Sequence, residues 1–418
     1  MMTRRILAAA LLSLTVLGAS AQDAKFKLYG FIRNYAVVDT RESVYGTADF
    51  FYYVPKDRNM VNGQDLNEQT TFSFAALTSR LGLDISGYEY EGWKVGAKFE
   101  ADFYSGVSGV TGVAQFRLRQ AYMTLAKDSF SAKIGQAWHP MAVDLPHVMS
   151  LNSGAPFGPF SRTPQATMEG KFSDKVSLTL AAIWQMQYTS AGPNGASADY
   201  LKYSGIPEIY MGLNLKSGGF TGRVGVDMLS IRPRHQIDAG VLARKTSERI
   251  TTFSTYAYAE YTGDLFSVKA KTTLAQAGEH MSLNGGYGVS VFNADGTWEY
   301  TPTRNSSSWI SLRYGKKVQA VLFGGYVRNF GTKEALAKPL YGQQVLYFSK
   351  NSFSNMNRMY RIAPELVYNL GKVAFGLQYE MTSVQYGAWG ADDIFGLATQ
   401  DLHWVTNHRL LLMAKYSF

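Results

Sequence analysis

The chain has 418 residues, with 41 basic and 32 acidic residues and no cysteine. The lack of cysteine excludes a disulfide framework and a lipid anchor on an N-terminal cysteine. No Lys/Arg cluster or recognition motif accompanies the net charge of +9, so we predict no nucleic-acid partner. No segment approaches about 18 uninterrupted apolar residues, which excludes helical membrane spans.

The first 21 residues have the pattern of a secretory signal peptide. Arg4 and Arg5 form the basic region, residues 6–17 form the apolar region, and Ala-Ser-Ala at 19–21 is a small-residue cleavage site. The apolar stretch is shorter than the ~20 residues that a transmembrane helix needs. We therefore predict export, with residues 1–21 as the signal peptide and residues 22–418 as one domain.

The rest of the chain alternates period-two segments with polar connections. Successive side chains of a strand point to opposite faces, so this alternation indicates a sheet with one apolar face. The sequence predicts about sixteen strands. They are 25–39, 70–86, 93–104, 113–126, 130–138, 164–172, 175–189, 205–216, 219–231, 249–262, 265–277, 305–315, 317–330, 355–370, 372–385 and 403–418.

Short and long connections alternate along the chain. After a slightly longer first turn at 87–92, every second connection is minimal, whereas those between are mostly long and polar, as at 40–69, 139–163 and 331–354. Short turns on one rim and long loops on the other are typical of an outer-membrane barrel. An even strand number also closes the sheet without an edge. We predict an all-β transmembrane antiparallel barrel in the Gram-negative outer membrane, with periplasmic turns and extracellular loops.

Charged residues occupy one face of several predicted strands. Lys98 and Glu100 alternate with apolar residues in the third strand, and Arg223, Lys269 and Arg409 do so in later strands. A charge at the lipid midplane costs roughly 2–4 kcal/mol, so these faces must point inward. We therefore predict that these five side chains line a hydrated pore.

Two features of the predicted lumen stay open. Segments 251–261 and 317–330 show no clear parity, and their lumen-facing residues are not assigned. A barrel of about sixteen strands is too wide to be filled by wall side chains alone. The remaining candidate for narrowing the pore is a long loop folded inward.

Several short motifs resemble those of Gram-negative porins. They are Leu-Tyr-Gly at 28–30, Ser-Arg-Leu-Gly-Leu at 79–83, Phe-Arg-Leu-Arg-Gln-Ala-Tyr at 116–122 and Lys-Ile-Gly-Gln-Ala-Trp at 133–138. The last strand alternates and ends in Phe418, similar to the C-terminal signature that the barrel-assembly machinery reads. In this order and these strand positions, the motifs resemble most closely the DcaP-like branch of trimeric porins.

The resemblance implies a homotrimer of sixteen-stranded barrels. Its third long loop, 139–163 here, would fold into the lumen as a constriction facing a ladder of arginines. Carried over by position, Arg33, Arg80, Arg117 and Arg119 would be wall residues of that ladder. The same parity places Gln120 and Gln136 on the outer wall, where polar side chains are tolerated at a subunit interface.

The constriction loop departs from the general porin pattern. Only Asp144 is acidic, and it is accompanied by His139, His147 and Arg162, whereas general porins place several carboxylates there. A basic wall facing such a loop favours anions. The resemblance to DcaP-like porins implies that these anions include small carboxylates. The alternative for the inward arginines is bracing of the wall, and both roles stay open. The candidate bracing partners are Asp84, Glu100, Asp102 and Asp227.

The predicted function is a porin for small hydrophilic solutes, in contact with outer-membrane lipid and lipopolysaccharide. Only His280 among the histidines has a serine two residues away, Ser282, with Glu279 adjacent, and no motif for a metal, phosphate or nucleophile is present. We predict no enzymatic activity, cofactor or metal. The alternative is a structural or adhesin-like barrel acting through its loops. The aromatic run 50–53 either contacts partners or folds back over the barrel mouth.

Overall fold

The computed structural model describes residues 24–46, 50–104, 114–237, 242–339, 344–349, 353–390 and 393–418. The predicted signal peptide lies outside these residues. None of the described helices is long and apolar enough to cross a membrane.

Sixteen antiparallel strands form a closed barrel, which confirms the predicted fold. We number them in chain order. They are β1 (Lys25–Asp39), β2 (Thr71–Ala75 and Arg80–Tyr90), β3 (Trp93–Tyr104), β4 (Gln115–Lys127), β5 (Phe130–Trp138), β6 (Arg162–Lys171), β7 (Val176–Ile183), β8 (Glu208–Ser217), β9 (Phe220–Ile231), β10 (Ile250–Thr262), β11 (Phe266–Gln276), β12 (Trp298–Tyr314), β13 (Val318–Thr332), β14 (Met356–Leu370), β15 (Val373–Ala388) and β16 (Gln400–Ser417).

Smaller elements lie in the connections between barrel strands. One α-helical turn spans Asp199–Lys202, and two 3-10 turns span Pro140–Ala142 and Gly278–Met281. The short strands outside the barrel wall are Ser43–Gly46, Phe51–Pro55, Met60–Val61, Gln64–Asp65, Gln236–Ile237, Arg244–Lys245, Gly286–Phe292 and Leu346–Phe348.

The barrel closes between its first and last strands. β1 pairs with β2 on one side and with β16 on the other, where Phe31 lies opposite Ser417. The backbone of Gly30 and that of Phe418 exchange two hydrogen bonds, of 3.2 and 3.1 Å. The alternating C-terminal segment is therefore the strand that completes the sheet.

The first turn is shorter than the sequence predicts. β2 and β3 continue as a hairpin to a two-residue turn at 91–92, and the pairing shifts between Ile85 and Tyr88. Such a bulge adds a residue without ending the strand. The prediction of a turn over 87–92 was therefore wrong. At the other end, β2 is interrupted near Thr78, whose φ is +70°.

The outer wall is an apolar surface. Phe26, Leu28 and Ile32 on β1 are exposed, as are Leu410 and Leu412 on β16, and similar rows continue around the barrel. Exposed apolar side chains along the height of the barrel wall are typical of a lipid-facing band. Among the described residues, these side chains stay exposed and are not covered by loops.

The two strands of unclear parity have apolar side chains on both faces. On β13, Leu322 and Tyr326 are exposed on the outer wall, whereas Phe323 and Val327 are buried inside the barrel. These inner residues belong to the core cluster that also contains Phe157 of loop 139–163. Part of the lumen is therefore packed with protein, and a strand facing this packed region has no polar side to identify it.

Candidate functional site

Loop 139–163 lies inside the barrel and is hydrogen-bonded to strands of the wall. Tyr35 of β1 donates to the carbonyl of Met149 at 2.7 Å, and the Met149 N–H donates to Glu365 of β14 at 2.8 Å. Arg361, also on β14, donates to the carbonyl of Ala155 at 3.0 Å. Most residues of the loop are buried. These contacts fix the loop inside the barrel.

A second segment joins the loop there. The hairpin strand Phe51–Pro55 is fully buried, and the rings of Phe51 and Phe160 meet edge to face at 5.0 Å. Arg361 donates to the carbonyl of Tyr53 at 2.6 Å, so one guanidinium holds both segments. The aromatic run therefore folds back into the barrel mouth, which settles the choice left open by the sequence.

Between this packed region and the wall of β1 to β6 lies a cavity of about 650 Å³, which we call the basic cavity. Five guanidinium groups and two carboxylates line it, an excess of three positive charges. The charged residues are Arg33, Arg80, Arg117, Arg119, Arg162, Glu100 and Asp102. Six of these seven belong to the residues singled out from the sequence as pore-lining or loop candidates, and they meet at one place.

The arginines of the basic cavity differ in how firmly they are paired. Arg119 contacts Glu100 at 2.7 Å and Asp102 at 2.8 Å and is buried. Arg117 contacts Asp102 at 3.0 Å. Arg80 is looser, at 3.6 Å from Glu100 and 3.9 Å from Asp102. The same arginines therefore both pair with wall carboxylates and line the cavity. The closeness of that pairing differs from one arginine to the next.

A bulge in β4 concentrates polar groups in this cavity. Gln120 pairs with Glu100 and Leu118 with Ala101, which leaves Arg119 as the extra residue. Gln120 consequently turns inward and donates to the Glu100 carboxylate at 3.2 Å. The prediction that Gln120 faces outward was wrong, because strict alternation does not hold through a bulge. Gln136 donates to the backbone carbonyls of Leu118 and Arg119.

Two arginines of the cavity contact no carboxylate among the described residues. Arg33 donates to the hydroxyl of Thr78 at 2.6 Å. The guanidinium of Arg162 lies over the ring of Trp138 at 4.7 Å and over that of Phe160 at 5.4 Å. Its Nη1 is buried without a hydrogen-bond partner in the described part of the chain. These groups retain donor capacity for an anion.

The other predicted site residues lie elsewhere in the barrel. Asp144 of the loop pairs with Arg223 of β9, not with the arginine wall. Lys98 pairs with Asp84 at 2.6 Å. Lys269 donates to the carbonyl of Leu145 at 3.3 Å and lies 3.8 Å from Glu260, and Arg409 is buried against Asp39 at 2.8 Å. Asp227, a candidate bracing partner, contacts no arginine in the described structure; it lies 3.9 Å from His139.

His147 lies against the wall on the side of β11 and β12. Its backbone N–H donates to Ser311 at 2.9 Å and its Nε2 lies 3.1 Å from the hydroxyl of Ser267. Burial, together with the positive charges of Lys269 and Arg313, lowers the pKa of His147 to about 4. The ring is therefore neutral near pH 7.

A buried cluster at the start of the loop escapes sequence reasoning. Glu208 of β8 accepts hydrogen bonds from Nε2 of His139 at 2.8 Å and from Nε2 of His280 at 3.0 Å. Burial lowers the pKa of His280, but Glu208, Glu279 and the Ala277 carbonyl together raise it, so its net pKa lies above the ordinary value. The two histidines lie 69 and 72 residues from Glu208, so no local spacing could reveal the cluster.

The same cluster has some features of a metal site. His139, Glu208 and Asp227 offer ligand atoms within 4.8 Å of one another. However, the Met141 N–H donates to Nδ1 of His139 at 3.1 Å. The proton of a neutral His139 is therefore on Nε2, the atom that a metal would need. As placed, the cluster ties two loops to the wall by hydrogen bonds.

The chain is similar to outer-membrane channels in sequence and fold. Residues 7–151 match the model of the family described as DcaP outer membrane protein. The crystal structure of the outer membrane channel DcaP of Acinetobacter baumannii superposes with a TM-score of 0.67 and 18% identity, covering 95% of this chain and 98% of that chain. No curated protein matches the chain.

Other solved porins are similar at lower scores. The anion-selective porin from Comamonas acidovorans has a TM-score of 0.53 and 12% identity, covering 95% of this chain and 100% of that one. OmpT of Vibrio cholerae has a TM-score of 0.51 and 10% identity, with 95% and 98% covered. The resemblance to DcaP-like porins inferred from short motifs is confirmed. The fold is that of a porin-like outer-membrane channel.

Proposed function

We propose that this protein is a porin of the Gram-negative outer membrane, through which small hydrophilic solutes diffuse passively with a preference for anions. The basic cavity carries this proposal. Its five guanidinium groups outnumber its two carboxylates, and it lies where loop 139–163 and the hairpin strand Phe51–Pro55 leave space along the wall. Loop 139–163 is the proposed constriction.

The proposed selectivity follows from the field of the cavity. Charges of one sign on a low-dielectric wall raise the local concentration of ions of opposite sign. Arg33 and Arg80 are the proposed contacts for the passing anion, since they are unpaired or loosely paired. Arg162 is buried and contributes its positive charge to the field of the cavity. Arg119 mainly braces Glu100. A guanidinium binds a carboxylate through two parallel hydrogen bonds, so small carboxylates are the proposed solutes.

The proposal is tested by the reversal potential of the refolded protein in a planar bilayer with a salt gradient. The wild type is expected to favour anions, and Arg33→Gln with Arg80→Gln is expected to reduce that preference. The control is Arg58→Gln with Lys202→Gln, which removes two exposed charges from connecting loops. A cation-favouring wild type would refute the anion preference. A folded barrel without conductance would favour the structural or adhesin-like alternative.

We propose a homotrimer held together by the barrel walls. An in-vitro folded OmpT of Vibrio cholerae, similar in fold, is described as a trimer form. The proposed partners are outer-membrane lipid, lipopolysaccharide and the barrel-assembly machinery, which would read the strand ending in Phe418. Conductance steps in threes, with a heat-sensitive trimer band on unheated gels, would support this assembly. Single steps from a monodisperse monomer would oppose it.

A further inference from the structure

Two arginines lie on the outer wall of the barrel, where most side chains are apolar. Arg328 of β13 and Arg358 of β14 are register partners. Arg328 has the parity of exposed Tyr326 and Phe330, and Arg358 has that of exposed Ile362. The Arg358 guanidinium lies 5.8 Å from the ring of exposed Trp404. The two cations therefore stand side by side, facing the membrane.

These arginines lack a carboxylate partner in the described structure. Neither forms an ion pair there, and Arg358 donates only to the side-chain oxygen of Gln385, at 2.7 Å. The nearby strand carboxylates Glu365 and Glu380 are buried inside the barrel instead. Two adjacent positive charges consequently remain without compensation on this wall.

Their height along the barrel places them at the edge of the lipid band. Arg358 and exposed Tyr368 lie ten residues apart on the same face of β14. At about 3.3 Å per residue and a tilt near 40°, this separation spans roughly 25 Å of membrane, the usual height of the apolar band. Arg358 is near the end of β14 that follows the long connection, which is the extracellular end. The arginine pair is therefore level with outer-leaflet headgroups.

An apolar hollow lies directly below the pair. It has a volume of about 700 Å³ and is lined by small residues such as Ala257, Ala270 and Gly324, and by Ile310 and Ile362. Tyr326 and Tyr360 form its border toward the arginines. A depression in the lipid-facing wall has room for acyl chains beneath a headgroup.

We propose that this outer-wall patch, formed by Arg328, Arg358 and the hollow, binds a phosphorylated acyl lipid of the outer leaflet, of the lipid A class. The guanidinium groups contact the phosphate, since arginine matches phosphate oxygens in charge and geometry. Acyl chains fill the hollow. The inference rests on the proposed outer-membrane location and not on ion preference, so a channel without anion selectivity leaves it intact.

Native mass spectrometry of the refolded full chain with diphosphorylated lipid A, and with its dephosphorylated form, tests the headgroup contact. Arg328→Gln with Arg358→Gln is expected to weaken binding of the phosphorylated form about tenfold or more. The charge-matched control Arg58→Gln with Lys202→Gln is expected to bind like the wild type. Equal binding by both double variants, or equal binding of both lipids by the wild type, would overturn the proposal.

Gly324→Leu tests the hollow separately. A Cβ at Gly324 meets only Ile310, at 3.7 Å, so the wall has room for the side chain and the barrel is expected to fold. The filled hollow is expected to lower lipid binding with both arginines in place.

A photo-crosslinking residue in place of Ile362 reports the occupant in native membranes. An adduct with a phosphorylated acyl lipid supports the proposal. An adduct with a second copy of this chain would contradict it and assign the patch to the subunit interface.

Discussion

Arg119 shows how one inserted residue shapes the basic cavity. As the extra residue of a bulge, it contacts Glu100 and Asp102 together, while the next residue, Gln120, also turns inward. Sequence parity placed Arg80 on the inner face, and the resemblance to porins placed Arg119 there. The parity carried over from that resemblance misplaced Gln120, because a bulge has no signature in the alternation of apolar and polar residues.

Arg119→Gln is expected to destabilise the barrel more than Arg80→Gln. Removing Arg119 takes away a positive charge that two buried carboxylates contact. Breaking a buried ion pair in this way lowers the free energy of unfolding by about 3 kcal/mol. Arg80 is 3.6 Å or more from either carboxylate and contributes less. The measurement is the free energy of unfolding in urea from lipid vesicles. Equal losses for the two variants would contradict the distinction between bracing and lining.

His147 is expected to make the attachment of loop 139–163 dependent on pH. Its pKa falls from the ordinary value of 6.5 to about 4 in the folded protein. As the pH falls, the unfolded chain therefore protonates His147 before the folded protein does. The contribution of the neutral ring to the free energy of unfolding is complete above pH 6.5. It is lost as the pH falls toward 4, where the charged ring faces Lys269 and Arg313, with Glu260 as the opposing charge.

The measurement for His147 is single-channel noise between pH 7 and pH 3.5. The wild type is expected to become noisier below about pH 5, and His147→Gln is expected to lack that transition. Identical profiles for the two proteins would assign the change to other groups.

At the scale of elements, the inserted loop explains what the sequence leaves open. Segments 251–261 and 317–330 could not be assigned because Tyr256, Tyr258 and Phe323 face packed protein rather than water. The rule that polar side chains line the lumen fails where a loop supplies an apolar surface. Burial of Phe51–Pro55 also depends on contacts with distant residues such as Phe160.

Arg361→Gln is expected to loosen both inserted segments at once. This side chain donates to Ala155 of the loop and to Tyr53 of the hairpin, and it lies 3.4 Å from Glu380. Its loss is expected to raise mean conductance and the frequency of fluctuations. Single-channel recording checks this, with Arg58→Gln as control. Unchanged conductance in a folded Arg361→Gln barrel would mean that the segments hold their position without it.

At the scale of the whole molecule, barrel closure was the most predictable feature. Alternating segments, short turns on one rim and the terminal strand followed directly from residue patterns, because lipid imposes one apolar face on every strand. The contacts that close the seam were not predictable. A side chain at Gly30 would lie 2.4 Å from the Arg80 carbonyl and 2.6 Å from the Phe418 ring.

Gly30→Ala is therefore expected to reduce the yield of closed barrel. The matched control is Gly170→Ala on β6, because a Cβ there meets nothing within 4 Å. The measurement is the fraction of heat-modifiable protein on unheated gels after refolding into vesicles. Equal yields for the two variants would show that the Phe418 ring moves aside at little cost.

The position of loop 139–163 has a consequence for the order of assembly. It is hydrogen-bonded to Tyr35 on the first strand and to Glu365 and Arg361 on the fourteenth. Its anchoring points are thus brought together only when nearly the whole wall has been laid down. The proposed constriction is consequently expected to form late in biogenesis. On the proposed porin function, an intermediate that stalls before its seam joins would be a wider and less selective channel than the finished protein.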